Sequence, residues 1–305
     1  MTRLPASSGD PIADRRFAHA RDYAASGDPA AAAELAEQAL ERAEDWAPGW
    51  LLLGEFHETA GAVSAAITAY ERALALDPDD RCGAVLRLAR LGARPMPAAP
   101  PPAHVRALFD DYAERFEDSL VNRLGYRAPH LIAEEIAAAG DGRRFGLGVD
   151  LGCGTGLMAR ALAGRVDRLE GVDLAPAMVE AARATGLYAT LSVGDVTADL
   201  AGRGDGSVEL ITAADVFCYL GDLGGVLAEG ARVLREGGLF AFTIETGAET
   251  DAAQLRDSLR YAHGRGPLEA AAKRLGFAVA RRRDAVLRRD RDRDVLGTIY
   301  VLTKS

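Results

Sequence analysis

The chain has 305 residues, of which 49% are apolar and 27% charged, a globular composition that suffices for two domains. Its formal net charge of −9 disfavours a large phosphate-binding surface, so we expect no nucleic-acid partner. The cysteines Cys82, Cys153 and Cys218 show no CxxC spacing, which argues against a disulfide framework and against a zinc site.

The N-terminal segment, residues 1–16, carries charges and lacks the apolar region of a signal peptide. Elsewhere, no uninterrupted apolar stretch reaches the roughly 18–20 residues that a membrane span needs. Together with the odd number of cysteines, this predicts a cytoplasmic protein with no membrane partner.

Residues 12–92 are predicted to form a helical domain with an internal repeat. The small residues Gly54 and Ala66 allow two antiparallel helices to approach closely, and Pro78 ends the second helix. The spacing of a 34-residue tetratricopeptide repeat is matched by Trp50, Leu53, Gly54, His57, Ala66, Tyr70, Ala73 and Pro78. One repeat earlier, the small and aromatic positions fit but the tryptophan position does not. We therefore predict two repeats and a capping helix over 81–91, with a generic helical hairpin bundle as the alternative.

The following segment, residues 93–103, holds five prolines, which predicts a semi-rigid linker. The expected domains are therefore the helical domain at 1–92 and a second domain at 104–305.

The second domain is predicted to have an α/β fold. It begins with two helices, over 104–120 and 129–139, the first with an apolar face that includes Tyr112 and Phe116. Short apolar strands then alternate with helices, which is typical of a mostly parallel sheet covered on both faces. The predicted strands are 146–152, 168–173, 190–193, 209–213 and 239–245, followed by an antiparallel hairpin of 278–288 and 295–303.

A glycine-rich turn follows the first of these strands. It reads Asp150-Leu151-Gly152-Cys153-Gly154-Thr155-Gly156, and such a turn lets a ligand lie against bare backbone. A dinucleotide fingerprint would place its third glycine at position 157, where the chain has leucine, so a nicotinamide-dependent oxidoreductase is disfavoured.

Three further acids end the next three strands: Asp173, Asp195 and Asp215. Open α/β sheets bind ligands at the carboxyl ends of their strands. A carboxylate at Asp173 can accept both hydroxyls of a ribose, and one at Asp195 can accept from an adenine amine, with Val196 supplying its backbone. Any one of these acids can instead be a turn or cap residue, but their joint spacing favours a binding site.

On these motifs, residues 104–305 resemble a class I S-adenosylmethionine-dependent methyltransferase with a Rossmann-like sheet. The resemblance implies S-adenosylmethionine as cofactor, S-adenosylhomocysteine as product, and no metal. It implies that the turn glycines line the methionine and ribose, that Asp150 orients the methionine ammonium, and that Asp215 borders the methionine and the substrate entrance. The remaining implied contacts are the ribose with Asp173, the adenine faces with Leu174 and Met178, and the adenine edge with Asp195 and Val196.

The leading helix and the segment after it are similar to those of bacterial methyltransferases that carry a tetratricopeptide domain, and to small-molecule carboxyl methyltransferases. The resemblance implies that this helix folds over the cofactor, with Tyr112, Tyr126 and Arg127 closing the pocket and Arg127 on the methionine carboxylate. Plain hydrophobic packing of the helix on the sheet is the alternative.

Methyl transfer from a sulfonium is an in-line displacement, and a general base is needed only if the acceptor must lose a proton. The candidates for such a base are Tyr219, His263 and Asp215. We expect a small-molecule acceptor, or a protein recruited by the repeats, which can also mediate self-association. The alternative function is a non-catalytic scaffold that binds the cofactor or its product while the repeats hold a protein partner.

Overall fold

The computed structural model describes residues 7–112, 125–290 and 293–305. The chain divides into two compact units, Met1–Ala107 and Leu108–Ser305. The division falls within helix α6, Pro102–Tyr112, so the last two residues of the expected linker are helical. Proline is accommodated there because the first turn of a helix makes no use of its missing N–H.

The first unit is an array of antiparallel helices. Asp10 and Asp28 cap the first two helices through their side chains, and a proline follows each cap at the first helical position. The helices are α1 (Pro11–Ala25), α2 (Pro29–Leu40), α3 (Ala47–Thr59), α4 (Val63–Leu76) and α5 (Ala84–Arg90).

Helices α3 and α4 pack at a glycine, as the sequence predicted. A Cβ at Gly54 would lie 2.3 Å from Cε1 of Tyr70, whose side chain is fully buried. The Tyr70 hydroxyl donates to Glu58 at 2.8 Å, so its polar end is satisfied on the same helix pair. This contact is the close helix approach on which the repeat depends.

The second unit is an α/β domain. Its helices after α6 are α7 (Ala128–Ala139), α8 (Leu157–Ala161), α9 (Pro176–Ala184), α10 (Val196–Ala201), α11 (Gly224–Val233) and α12 (Arg265–Arg274). Its strands are β1 (Phe145–Leu151), β2 (Val166–Asp173), β3 (Thr190–Val193), β4 (Val208–Ala213), β5 (Leu234–Thr246), β6 (Gln254–Leu255), β7 (Tyr261–His263), β8 (Phe277–Asp290) and β9 (Arg293–Lys304).

The described strands form one mixed sheet in the order β3-β2-β1-β4-β5, and these five strands are parallel. Strand β9 pairs antiparallel with β5 and with β8, which forms the predicted terminal hairpin. Strands β6 and β7 extend the sheet beyond the end of β5. The predicted fold class is confirmed, whereas β6 and β7 were missed because two or three residues carry no readable alternation.

Both faces of the sheet are buried in apolar clusters, which explains why its strands are continuously apolar. On one face, three phenylalanines pack together, with the rings of Phe217 and Phe242 4.7 Å apart and those of Phe240 and Phe242 5.3 Å apart. In the part of the chain that the structure describes, the helices are too short or too polar to span a lipid bilayer.

Candidate functional site

Four carboxylates stand at the carboxyl ends of four neighbouring parallel strands. Asp150 is the next-to-last residue of β1 and Asp173 is the last residue of β2. Asp195 lies two residues after the end of β3, and Asp215 two residues after the end of β4. Because the strand order is β3-β2-β1-β4, these acids line one edge of the sheet. This edge is where an open α/β sheet binds ligands.

The turn between β1 and α8 requires glycine. Gly152, Gly154 and Gly156 have φ angles of +61°, +53° and +93°, a region that side chains disfavour. A Cβ at Gly152 would also lie 2.5 Å from Cγ2 of Val216, so that position is sterically closed to any side chain. The turn therefore presents bare backbone at the centre of the edge.

Asp173 is tied directly to this turn. Its Oδ2 accepts from the Gly154 N–H and its Oδ1 from the Ala175 N–H, both at 2.9 Å. Burial raises the pKa of Asp173 above its ordinary value, although these backbone hydrogen bonds act in the opposite direction. The ends of β1 and β2 are thus joined at one carboxylate.

Asp150 lies behind the turn with 1% of its surface exposed. Its Oδ2 accepts from the Tyr188 hydroxyl at 2.6 Å, and its Oδ1 accepts from the Thr212 hydroxyl at 2.8 Å. Burial raises the pKa of Asp150 to about 6 against these hydrogen bonds. Sequence reasoning missed both partners, although Thr212 was readable as a polar residue within an apolar strand.

Asp195 acts as a helix cap in the structure. Its Oδ1 accepts from the backbone N–H groups of Thr197 and Ala198, both at 2.9 Å, and thereby begins α10. The side chain of Asp195 is exposed and that of Val196 is buried. The adenine contact expected of Asp195 would be added to this capping role.

The two residues expected on the adenine faces differ in exposure. Leu174 is half-buried at the end of β2, whereas Met178 in α9 is 1% exposed. Both adenine contacts stay predictions, and the one expected of Met178 would require a change in its packing, because little of its surface is exposed.

Helix α6 reaches the sheet edge through its last turns. The ring of Phe109 makes an edge-to-face contact with Tyr219 at 5.3 Å between centroids. Oδ1 of Asp110 accepts from the Ala177 N–H at 3.2 Å, in the first turn of α9. The predicted helix 104–120 is described only to residue 112, and the Tyr112 side chain and Phe116 lie outside the described part of the chain.

Tyr126 and Arg127 directly precede α7 and differ in the exposure of their side chains. Tyr126 is half-buried against an apolar cluster, and burial raises its pKa well above its ordinary value. The Arg127 backbone N–H donates to the Leu287 carbonyl at 3.2 Å, while its side chain is exposed.

Asp215 has a strained backbone conformation, and its side chain is held by Thr243 and Arg288. Its φ is +57°, in the left-handed region that non-glycine residues rarely adopt. The Thr243 hydroxyl donates to its Oδ1 at 3.1 Å, and Nη1 of Arg288 donates to its Oδ2 at 2.5 Å. Arg288 is 3% exposed and also pairs with buried Glu245. Sequence reasoning missed this buried ion-pair cluster, because Arg288 was predicted only as the last residue of the strand 278–288 and local spacing does not show which acids it faces.

Tyr219 lies beside a second arginine. The Arg260 Nε donates to the Tyr219 hydroxyl at 3.2 Å, and its guanidinium carbon is 5.5 Å from the ring centroid. Burial raises the pKa of Tyr219 to about 12, so its phenol is neutral near pH 7.

His263 is not at the site opening, contrary to expectation. It is 1% exposed, with Nε2 3.0 Å from the Phe217 carbonyl oxygen and Nδ1 3.2 Å from the Ala252 carbonyl oxygen. Both ring nitrogens face backbone carbonyl oxygens, so neither nitrogen is directed at a substrate.

One buried polar atom in the glycine-rich turn stands out. Thr155 Oγ1 has no hydrogen-bond partner among the described residues, and the residue is only 5% exposed. Buried hydroxyls usually find a partner, so this atom is consistent with a polar ligand against the turn. Over the described ranges, no cluster of histidine, cysteine or acidic residues is arranged to hold a metal ion.

Comparisons with known proteins agree with this geometry. Residues 149–242 match the family described as "Methyltransferase domain", and residues 17–81 match "Tetratricopeptide repeat". A ubiquinone biosynthesis O-methyltransferase of Xanthomonas oryzae is 32% identical over 100 residues, which are 32% of this chain and 42% of that protein. Human methyltransferase-like protein 27 is 39% identical over 87 residues, which are 28% of this chain and 35% of that protein. The chain therefore spans less than half the length of these curated relatives.

Among solved structures, an S-adenosylmethionine-dependent methyltransferase from Clostridium acetobutylicum superposes with a TM-score of 0.48 and 19% identity, covering 64% of this chain and 98% of that one. The two family matches fall on the two structural units, one on each. The chain thus carries a match to a methyltransferase domain in its second unit and a match to tetratricopeptide repeats in its first.

Proposed function

We propose that the second unit holds S-adenosylmethionine along the edge formed by β1, β2, β3 and β4 and methylates a small-molecule acceptor that enters beside Asp215. The observation that carries this proposal is the hydrogen bond from the Gly154 N–H to Asp173, at 2.9 Å. It brings the bare turn of β1 and the acid of β2 to one place, as the binding of an adenosyl group requires.

The residues at this edge fit the cofactor by their chemistry. The backbone of Gly152, Gly154 and Gly156 would line the methionine and ribose, and Asp173 would hold the ribose hydroxyls. Leu174 would contact the adenine. Asp195 and Val196 would fix its edge, Asp150 would attract the methionine ammonium, and Tyr126 and Arg127 would close the pocket.

When bound, S-adenosylmethionine supplies an activated methyl group. The chain's own residues then need to orient the acceptor in line and exclude water. Phe109 on Tyr219 is the contact through which α6 would cover the opening. At neutral pH, the Tyr219 phenol would donate or accept a hydrogen bond and thereby orient the acceptor.

The environment of the three candidate bases supports an acceptor that needs no deprotonation. Asp215 is ion-paired with Arg288, and Tyr219 has a pKa of about 12. The nitrogens of His263 face carbonyl oxygens. A carboxylate acceptor is already a nucleophile at neutral pH, so we infer methyl ester formation as the preferred reaction.

Cofactor binding tests the first part of the proposal. Calorimetry with S-adenosylmethionine and S-adenosylhomocysteine should detect binding, and Asp173→Asn should weaken it at least about tenfold, since a hydrogen bond to a charged group contributes about 1.5–3 kcal/mol. Asp167→Asn is the matched control, because Asp167 lies at the other end of β2 and is 59% exposed in an ion pair with Arg144. If neither compound binds, the proposal is wrong.

Acceptor chemistry needs a second experiment. Incubation with heavy-methyl S-adenosylmethionine and a cell extract should label a small molecule, and mild alkali should release the label as methanol if a methyl ester was formed. A label stable to alkali would contradict the carboxylate acceptor but not methyl transfer. Cofactor binding without any labelled product would favour the scaffold alternative, in which the repeats hold a protein partner.

We also infer a cytoplasmic location, with which the three free cysteines are consistent.

A further inference from the structure

The first unit contains a groove of about 660 Å³. Its walls come from α2, α3 and α4 and from the α2–α3 connection, and no residue of α1 or α5 lines it. The volume is within the range of about 300–1,000 Å³ that is usual for ligand pockets. The groove therefore lies between the second helices of the two repeats, with the first helix of the second repeat beneath it.

The floor of the groove is apolar. Leu40 and Leu53 are buried there, Trp50 is half-buried, and Ala65 and Ala69 of α4 supply small side chains. The Trp50 indole N–H donates to the Glu44 carbonyl at 2.7 Å, which fixes the orientation of the ring. Such a floor can pack against the aliphatic part of a long side chain, but it offers no hydrogen-bond partner to a charged end.

The rim of the groove is acidic. Glu37, Glu41 and Glu44 line it, against a single guanidinium from Arg72. Arg72 is already engaged, because it lies 3.5 Å from an Asp45 oxygen and 5.9 Å from the centroid of the Trp50 ring.

The carboxylates of this rim differ in their partners. Glu37 lies 3.2 Å from His57 Nε2. For the exposed side chains of Glu41 and Glu44, the described residues contain no ion-pair partner. The rim thus has two carboxylates available for an incoming cation.

We propose that this groove binds a lysine- or arginine-rich segment of another protein. Long cationic side chains would lay their methylene stems on the half-buried Trp50 ring and beside Ala65, and place their charged ends at Glu41 and Glu44. An acidic partner or a nucleic acid would be repelled by the same rim. The proposal concerns only the first unit and stands whether or not the second unit transfers methyl groups.

The test uses the full chain and two fluorescein-labelled peptides, one alternating lysine with leucine and one alternating glutamate with leucine. Fluorescence anisotropy at low ionic strength should show that the protein binds the lysine peptide and does not bind the glutamate peptide. Raising the salt concentration should weaken that binding, because salt screens exposed charges.

Two variants with the same net charge separate the groove from the general negative charge of the protein. Glu41→Lys with Glu44→Lys should weaken binding about tenfold, since each exposed pair contributes about 0.2–1 kcal/mol and each attraction becomes a repulsion. Asp22→Lys with Asp79→Lys makes the same charge change on exposed residues outside the groove and should leave affinity within about twofold.

Equal weakening by both double variants would overturn the proposal, as would equal affinity for the two peptides. Circular dichroism checks that each variant keeps its helical content. Ultracentrifugation of the protein without peptide tests whether a second copy of the chain fills the groove. A dimer that is abolished by Glu41→Lys with Glu44→Lys would also contradict the proposal.

Discussion

The burial of Asp150 makes a specific prediction for the pH dependence of stability. Its pKa of about 6 in the folded chain exceeds the ordinary value of 3.8, because burial disfavours the charged carboxylate. The folded state therefore binds this proton more tightly than the unfolded state does. The contribution of Asp150 to stability is complete below about pH 4 and is lost as the pH rises through 6.

The magnitude follows from the size of the shift. A difference of about two pKa units corresponds to about 3 kcal/mol between the two protonation states. Asparagine has nearly the same shape and no titrating proton, and it can still pair with the hydroxyls of Tyr188 and Thr212. The free energy of unfolding of the native protein, minus that of Asp150→Asn, should therefore fall by about 2–2.5 kcal/mol between pH 4 and pH 7.

Urea denaturation followed by circular dichroism measures this difference at each pH. Both tryptophans, Trp46 and Trp50, belong to the first unit, so their fluorescence reports that unit and should not change with the substitution. Asp167→Asn is the control, because its carboxylate is 59% exposed at the opposite end of β2. A flat difference for Asp150→Asn, or one that rises with pH, would refute the buried-carboxylate reasoning.

Three other substitutions probe the site. Gly152→Ala should lower the free energy of unfolding in urea by about 2–4 kcal/mol, because alanine is strained at a positive φ and its Cβ would clash with Val216. Adding Val216→Ala should remove the clash and recover only that part of the loss. Arg288→Met should lower the free energy of unfolding by about 3–5 kcal/mol, since it leaves the half-buried Asp215 without its ion-pair partner and buried Glu245 with only Arg260, 3.9 Å away. A loss below about 1 kcal/mol would contradict the ion-pair cluster. Tyr188→Phe removes a hydrogen bond that lowers the pKa of Asp150, so this pKa should rise further in the folded chain. In the same urea titration, the loss of stability should then extend to a higher pH. An unchanged pH range would argue against the hydrogen bond between Tyr188 and Asp150.

The sequence by itself determined what depends on local spacing. The repeat positions around Gly54 and Tyr70 predicted a helix pair, because a close approach needs a small residue at a fixed helical spacing. Apolar runs that end in Asp150 and Asp173 predicted parallel strands with acids at one edge, since neighbouring parallel strands end on the same side. The turn at Gly152 was readable for the same reason: its positive φ restricts the choice of residue.

Only the tertiary structure decided which groups face these acids. Arg288 reaches Asp215 across 73 positions of sequence, through the pairing of β8 with β9 and of β9 with β5. Tyr188 reaches Asp150 across 38 positions, and His263 is drawn into the interior by two carbonyl oxygens. Periodicity and turn chemistry are written in neighbouring residues, whereas the partner of a buried charge is selected by strand order and packing, which no local window of sequence contains.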